Sequence, residues 1–307
     1  MATRIFSVMQ IAGIIVIRAP EPGLLDKVRP ILAMLEHVYV VDNTDDGMQS
    51  PDGLTGTRGI TLIGNRNQGG LAGAYNAALE RIATDRPHVT HVLFLDDDSE
   101  TDALAVFLQS DATVTALARR DVAAVAPIYV ERATGLSGAH IQLSRFTFKV
   151  LPRTLSEATD VTFLINSMSL WKIGALRAIG TYDSKLQVDH VDTDYCLRAK
   201  ALGFRLVLNP TVCFRHSIGV RQQYRLCGLI LQSGGHDAVR RRMIGRNTVL
   251  LAKRYGKRFP SFVVLSMARL CYEFLGIVLV ETDRWPKVHA LIQGVVQGLF
   301  APAARIL

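Results

Sequence analysis

Short apolar runs alternate with stretches of helical apolar spacing through the first half of the chain. Gly13–Ile17 is an Ile/Val run that reads as a first core strand, and Leu24–Leu35 has helical spacing interrupted at Pro30. Val38–Val41 is a strand ending at Asp42-Asn43. Gly59–Ile63 is another, running into Gly64-Asn65-Arg66-Asn67-Gln68-Gly69-Gly70. Leu71–Ala83 is an Ala-rich helix, Val89–Leu95 a strand, Ala103–Arg119 a helix and Val122–Pro127 a further strand. This rhythm predicts an α/β fold with a mainly parallel central sheet flanked by helices. Ligands of such sheets bind at the carboxyl ends of strands, where Asp42, Asn65, Arg66 and Asp96–Asp98 all fall.

The second half is less regular. Tyr129–Thr162 has mixed polarity and predicts a surface excursion with some strand. Val161–Trp171 reads as a strand with Asn166, Ser167 and Ser169 interleaved. Trp171–Ile179 is a short helix closed by Gly180, and Val191–Ala201 a helix ending before Gly203. Phe204–Leu208 is a strand closed by Asn209-Pro210, and Val212–His216 a second extended piece. From about Gly219 the character changes. Arg240-Arg241-Arg242, Lys253, Arg254, Lys257 and Arg258 are interleaved with apolar residues. Helical spacing continues through Phe262–Val280 and Val288–Phe300, with Pro260, Pro286 and Pro302 as breaks. The expected organisation is one domain over 1–218, in halves of about 1–128 and 129–218, followed by a helical region over 219–307.

Composition narrows this picture only in part. The 307 residues are 49% apolar and 20% charged, with mean hydropathy +0.21, so a sizeable core is available. A net charge of +8 suits a phosphorylated substrate, an anionic membrane surface or nucleic acid, and does not choose among them. Cys196, Cys213, Cys227 and Cys271 have no CxxC spacing, which argues against a zinc site or disulfide framework and for a reducing compartment. Ile5–Ile17 superficially resembles a signal peptide, but Arg18-Ala19-Pro20-Glu21-Pro22 follows it in place of a small-x-small cleavage pattern. The longest apolar stretch, Phe262–Val280, is broken by Arg269 and Glu273, so no uninterrupted spanning run is expected.

Candidate chemistry lies in two acidic clusters. Asp96-Asp97-Asp98-Ser99-Glu100 follows the apolar run His91–Leu95. Three carboxylates at one strand end repel one another unless water or a cation relieves them. A hard divalent ion, Mg²⁺ or Mn²⁺, is the natural relief, and a solvated helix cap is the competing reading. The second cluster is Asp189-His190-Val191-Asp192-Thr193-Asp194-Tyr195-Cys196-Leu197-Arg198. At a helix start these carboxylates favour the dipole, and Asp194 can pair with Arg198 at i+4. Asp192 is then left to act as a general base for a hydroxyl nucleophile. His216 is more often a structural residue, but beside a carboxylate-bound metal it could complete the shell.

Taken together, these stretches resemble the inverting GT-A glycosyltransferases of family 2, most closely the bacterial rhamnosyltransferase branch. The residues that carry the resemblance are Val40–Asn43, Gly64–Asn76, Phe94–Ser99, Val188–Arg198, His216–Gly219 and Arg246-Asn247. It covers roughly the first 250 residues. It implies a GT-A catalytic domain over 1–218, with a nucleotide-sugar half and an acceptor half. Asp42 would accept a hydrogen bond from the donor's base. Asn65, Asn67, Gly69 and Gly70 would shape the pocket beside nucleotide and ribose. Asp96 and Asp98 look like the DxD pair: Asp98 would hold the metal, Asp96 or Asp97 would lie near the ribose, and His216 would add a metal or diphosphate contact. Asp192 matches the catalytic base, with Asp194 and Arg198 on its supporting helix and Asp194 counted also among the substrate-binding residues. The first strand departs from the family pattern, ending in Ile17-Arg18-Ala19-Pro20, so Arg18 could approach the diphosphate.

The resemblance implies a metal-assisted single displacement from a nucleoside-diphosphate sugar, dTDP-L-rhamnose favoured and a UDP-sugar the alternative. The acceptor would be a cell-surface polysaccharide, lipopolysaccharide or lipid-linked glycan, reached from the cytoplasmic face of the inner membrane. Basic residues among apolar C-terminal helices suit a membrane surface or a homodimer interface. A nucleotidyltransferase would leave Asp192 without a role. The chain also has no recognition-helix or RNA-binding motif, so nucleic acid is not an expected partner.

Overall fold

Ile- and Val-rich runs buried on both faces build the centre of a sheet. The computed structural model describes residues 9–19, 23–45, 54–98, 100–132, 135–216, 222–226 and 229–302. Ile5–Val8, Ser99, Pro20–Pro22, Ser217–Gly219 and Cys227, named above, lie outside these. Strand β1 (Ile11–Ile17) lies between β2 (His37–Asp42) and β4 (His91–Asp96), with β3 (Ile60–Gly64) beyond β2, all parallel. Further along, β5 (Val122–Glu131) pairs in parallel with β10 (Arg205–His216). Two strands run against the rest. β9 (Ser169–Lys172) sits between β4 and β5, and β8 (Thr159–Val161) edges β10. The order is β3-β2-β1-β4-β9-β5-β10-β8, a mainly parallel sheet as expected.

Helix α1 (Leu24–Leu32) ends soon after Pro30, before the expected Leu35, and α2 (Gly70–Asp85) is the Ala-rich helix. The single helix expected over Ala103–Arg119 is two, α3 (Leu104–Gln109) and α4 (Asp111–Ala118). Ser110 breaks them by taking an extended backbone and capping Thr113 N. Asn209 explains the break. Its buried amide donates to Ser110 Oγ at 2.7 Å and Thr113 Oγ1 at 3.0 Å. Asn209-Pro210 does not end a strand either. It sits at a register shift between Asn209 and Cys213 inside the continuous β10, because proline, with no N–H, is tolerated at a bulge. The strand expected over Val161–Trp171 is likewise divided. A turn at Asn166–Met168, with Met168 at φ 56°, separates β8 from β9. Helices α5 (Ile173–Ile179) and α6 (Val191–Ala201) follow.

The chain divides into two compact units, Met1–His140 with Pro152–His216, and Ile141–Leu151 with Ser217–Leu307. The second unit holds α7 (Ala238–Tyr255), α8 (Pro260–Val280) and α9 (Arg284–Phe300). It also holds two hairpins, β6 (Ile141–Leu143) with β7 (Phe148–Val150), strand within the expected excursion of Tyr129–Thr162, and β11 (Gln222–Leu226) with β12 (Leu229–Ser233), which the helical spacing did not foretell. A Cβ on Gly294 would lie 2.0 Å from Arg242 O, so glycine lets α9 press onto α7. Arg241, fully buried, is bonded to Glu273 and Glu281 and, at 2.9 Å, to Ser233 Oγ. Among the described residues, α8 is long and apolar enough to cross a membrane by length and composition, at mean hydropathy 1.9, even though Arg269 and Glu273 interrupt it.

Candidate active site

Four strands of the first unit deliver their carboxyl ends to one edge of the sheet, and the candidate residues arrive with them. Asp42 closes β2, Asp96 closes β4, His216 closes β10, and Arg18 follows β1. That shared direction follows from parallel pairing, and it is why polar residues spaced across almost two hundred positions become neighbours.

The acidic triplet and His216 form one cluster. Ligand atoms of Asp96, Asp98 and His216 lie within 4.8 Å of one another. His216 Nε2 is 3.8 Å from Asp96 Oδ2, and Nδ1 is 3.7 Å from Asp98 Oδ1. Burial raises the Asp96 carboxyl to about 6; the His216 charge opposes this, while Asp98 and Asp97 add to it. Two carboxylates and an imidazole at this spacing fit a hard divalent cation of the Mn²⁺ or Mg²⁺ kind. Asp97 does not join the cluster. Its main-chain carbonyl accepts from Lys27 Nζ at 3.3 Å.

Asp192 sits in the first turn of α6, after His190 at φ 70°. Its Oδ2 accepts from Asn166 N at 3.3 Å, while Oδ1 is buried without a partner among the described residues. Burial, then the nearby Asp96 charge, pushes its carboxyl up to about 7. The turn at Asn166 thus supplies the donor that orients Asp192, and Asn166 Nδ2 donates to Tyr182 Oη at 3.2 Å. Ser167, next in the turn, approaches His216 Nδ1 at 3.5 Å. Asn166 and Ser167 were legible only as polar interruptions of a strand.

Asp194 is placed differently from its counting among substrate contacts. It is fully buried and bridges Arg198 Nε at 3.0 Å, with the Arg198 guanidinium 4.9 Å over the Tyr195 ring. Pairing one turn apart, the two side chains stiffen α6.

Asp42 is 1% exposed. Oδ1 accepts from Thr44 N at 2.9 Å, and Oδ2 is buried without a partner among the described residues. Asn65 and Asn67 belong to a chain of amides. Asn65 Nδ2 donates to Asn43 Oδ1 at 2.7 Å, Asn43 Nδ2 to Asn67 Oδ1 at 3.1 Å, and Asn67 Nδ2 to Asp45 Oδ1 at 2.6 Å. Arg18 ends that chain, donating to Asp45 Oδ2 at 2.6 Å. Gly69 and Gly70 have a packing role. Both have positive φ, and a Cβ on Gly70 would lie 2.6 Å from Gln187 O. They let α2 abut the segment that leads into α6, where Ala72 N bonds Gln187 O at 3.2 Å. Asn76 secures the same junction, its amide bonding Tyr182 O at 3.0 Å and Tyr182 N at 2.8 Å. A small cleft beside Asp98 is lined by Ile17, Arg18, Ala19, Leu24, Lys27 and Asp97. Lys27, on α1, escaped the sequence reading because one lysine on an amphipathic helix carries no signal of its own.

Comparisons with known proteins place this geometry. No protein-family profile matches the chain. The chain is 26% identical over 262 residues to the dTDP-rhamnosyl transferase RfbF of Shigella flexneri, covering 82% of this chain and 81% of that protein. Among solved structures it matches GalNAc-T7, crystallised with UDP, GalNAc and Mn²⁺, at TM-score 0.51 and 13% identity. That match covers 82% of this chain and 49% of the other, so the chain spans about half of that neighbour, and the likeness is one of fold. A looser match to A197 from STIV, at TM-score 0.42 and 14% identity over 70% of this chain and 88% of the other, bears no weight.

Proposed function

We propose, from the premise that the chain is a GT-A glycosyltransferase, that it transfers L-rhamnose from dTDP-L-rhamnose to a hydroxyl of a glycan acceptor with inversion. The acceptor class is a cell-surface polysaccharide, lipopolysaccharide or lipid-linked glycan. The place of action is the cytoplasmic face of a bacterial inner membrane. The observation that carries the reading is Asp192, with a buried, partnerless Oδ1 beside the Asp96–Asp98–His216 cluster. The 26% identical relative named as a dTDP-rhamnosyl transferase supports the choice of donor.

In this reading Asp192 takes the proton of the acceptor hydroxyl while that oxygen's lone pair attacks the anomeric carbon from the face opposite the diphosphate. The bond from that carbon to the diphosphate oxygen breaks, its electrons leave with dTDP, and the configuration inverts. A base raised to about 7 is matched to a neutral operating pH. Asn166 N orients it, and Asp194–Arg198 hold its helix. Asp42 Oδ2 accepts from the base of the nucleotide, the Asn65–Asn67 amides shape the loop beside it, and Arg18 and Lys27 face the diphosphate. Asp96, Asp98 and His216 would hold a divalent cation, which would supply positive charge to offset that of the departing diphosphate.

Calorimetric titration with dTDP and UDP, with and without Mn²⁺, tests the reading. Metal-dependent binding tighter for dTDP is expected. Tighter UDP binding would move the donor to a UDP-sugar, and binding of neither would overturn it.

The cation site makes a separate prediction. Asp96 and Asp192 hold protons to about 6 and 7 when folded, above the ordinary carboxylate value near 4. Between those values the folded state binds more protons than the unfolded one, so metal-free stability falls as pH rises through this window. A cation at about a hundred times its Kd returns roughly 2–3 kcal/mol. Mn²⁺ should therefore raise Tm by about 5–10 °C at pH 8 and by little at pH 5. An equal shift at both values, read by thermal unfolding, would count against the site.

A further inference from the structure

We propose that the second unit seats on an anionic lipid leaflet through the exposed apolar faces of α8 and α9 and the tip of the β6–β7 hairpin. This deepens the placement at a membrane given above, and rests on that reading only for its biological purpose.

Charge is divided unevenly along the chain. The second unit carries 16 Lys and Arg against 4 Asp and Glu, net +12, while the first carries 19 against 23, net −4. Two of the four acids are spent inside, since Glu273 and Glu281 are bonded to Arg241. A third, Asp237, caps α7 through Arg240 N at 2.7 Å. The exposed charge of this unit is therefore almost all positive.

The same unit also exposes apolar surface. Along α8 the exposed positions Val264, Met267, Cys271, Leu275 and Leu279 recur at three- and four-residue spacing and form one stripe. On α9, Trp285, Ile292, Val296 and Leu299 form another, and an open groove between the helices is lined by apolar side chains alone. The β6–β7 hairpin joins them, because Ser261 at the start of α8 bonds the backbone carbonyls of Ser144 and Arg145. At its tip Phe146 is 70% exposed, with the Arg145 guanidinium 5.0 Å over its ring and Lys149 exposed nearby. Exposed aromatic and aliphatic groups on a unit of strongly positive charge, with Arg145 against Phe146 at the hairpin tip, are the chemistry of a surface that dips into lipid beneath anionic headgroups.

Charge also decides against the other occupants. A second copy on this face would bring net +12 against net +12. A spanning α8 would have to leave α7 and α9, stripping Glu273 from Arg241 and carrying it with Arg269 into hydrocarbon. Lying in the interface keeps the packed face of α8, with Phe262 and Ile277, on its neighbours.

Flotation of the full chain with vesicles of phosphatidylcholine, or of phosphatidylcholine with about a third phosphatidylglycerol, tests this. Binding is expected to the anionic vesicles, at least tenfold tighter than to the neutral ones, weakened by 0.5 M salt and released by alkaline carbonate. Met267→Glu with Leu275→Glu, both on exposed positions, should lower it at least tenfold. Arg145→Glu with Lys149→Glu should do the same through the charges, and carries the test if the first pair fails to fold. The proposal is overturned if wild-type protein floats with neither vesicle, or if neither pair changes binding. It is equally overturned if carbonate does not release the chain, which would mean spanning, or if light scattering shows a dimer that Met267→Glu with Leu275→Glu splits. Lipid binding is read without sugar transfer, so a failed donor assignment leaves this result standing.

Discussion

Asp192→Asn is expected to cut sugar transfer by about 10²–10⁴-fold, the usual contribution of a positioned general base. The amide keeps the shape of the carboxylate and can still accept from Asn166 N at the Oδ2 position, so metal-dependent nucleotide binding should stay as in the wild type. Loss in kcat with unchanged nucleotide Kd, measured by initial rates and calorimetry, is the expected pair of results. Near-normal turnover would remove Asp192 from the role of base. The variant also removes a buried carboxylate that resists ionisation. Its metal-free stability should therefore fall less with rising pH than that of the parent, the sign opposite to that expected if Asp192 were stabilised as an anion.

Arg241→Ala is expected to cost about 3–5 kcal/mol, the largest stability effect of any single change considered, because it takes one guanidinium from two carboxylates, Glu273 and Glu281, and leaves the buried Glu281 under-compensated. Glu281 is fully buried, and its carboxyl is held below the ordinary range. Burial, the largest influence, raises it, but hydrogen bonds from Lys287 and Ser233 and the Arg241 charge together outweigh that. Removing the guanidinium leaves Lys287, 2.8 Å away, as the remaining ion-pair partner. Replacing Arg241 by Met together with Glu281 by Gln should recover part of the loss, since the fully buried Glu281 charge is gone while Glu273, with its side chain partly exposed, keeps its own. Chemical unfolding of the single and double variants checks this. Equal stability of Arg241→Ala and wild type would mean that the pair contributes nothing net.

The central strands and α2 could be read from apolar periodicity alone, because a strand buried on both faces has little freedom in composition. The acidic clusters could be read as chemistry, because three adjacent carboxylates at a strand end need a reason to be there. The breaks were not legible. Ser110, Asn209 and the Asn166–Met168 turn are decided by side chains about a hundred or about twenty-six residues away, as in Asn209 to Ser110 and Asn166 to Asp192. Nor was the packing role of Gly69 and Gly70, which answer to Ser184 and to the backbone of Gln187 respectively.

By itself the sequence determined the alternation of elements, the mainly parallel sheet and the carboxyl-end location of Asp42, Asp96 and Asp98. These are local properties, set by periodicity and by where charge interrupts an apolar run. Only the tertiary structure decided that His216 reaches Asp96 and Asp98, because the bulge at Asn209-Pro210 lets β10 continue past the point where a strand should stop. The Asp194–Arg198 pair was legible as an i, i+4 spacing, but only the tertiary structure set Asn166 N against one Asp192 oxygen and left the other buried without a partner among the described residues. It alone joined residues 141–151 to the C-terminal helices, where Phe146 and the basic residues meet on one surface. Each of these depends on distance in space between residues far apart in the chain, which periodicity does not encode.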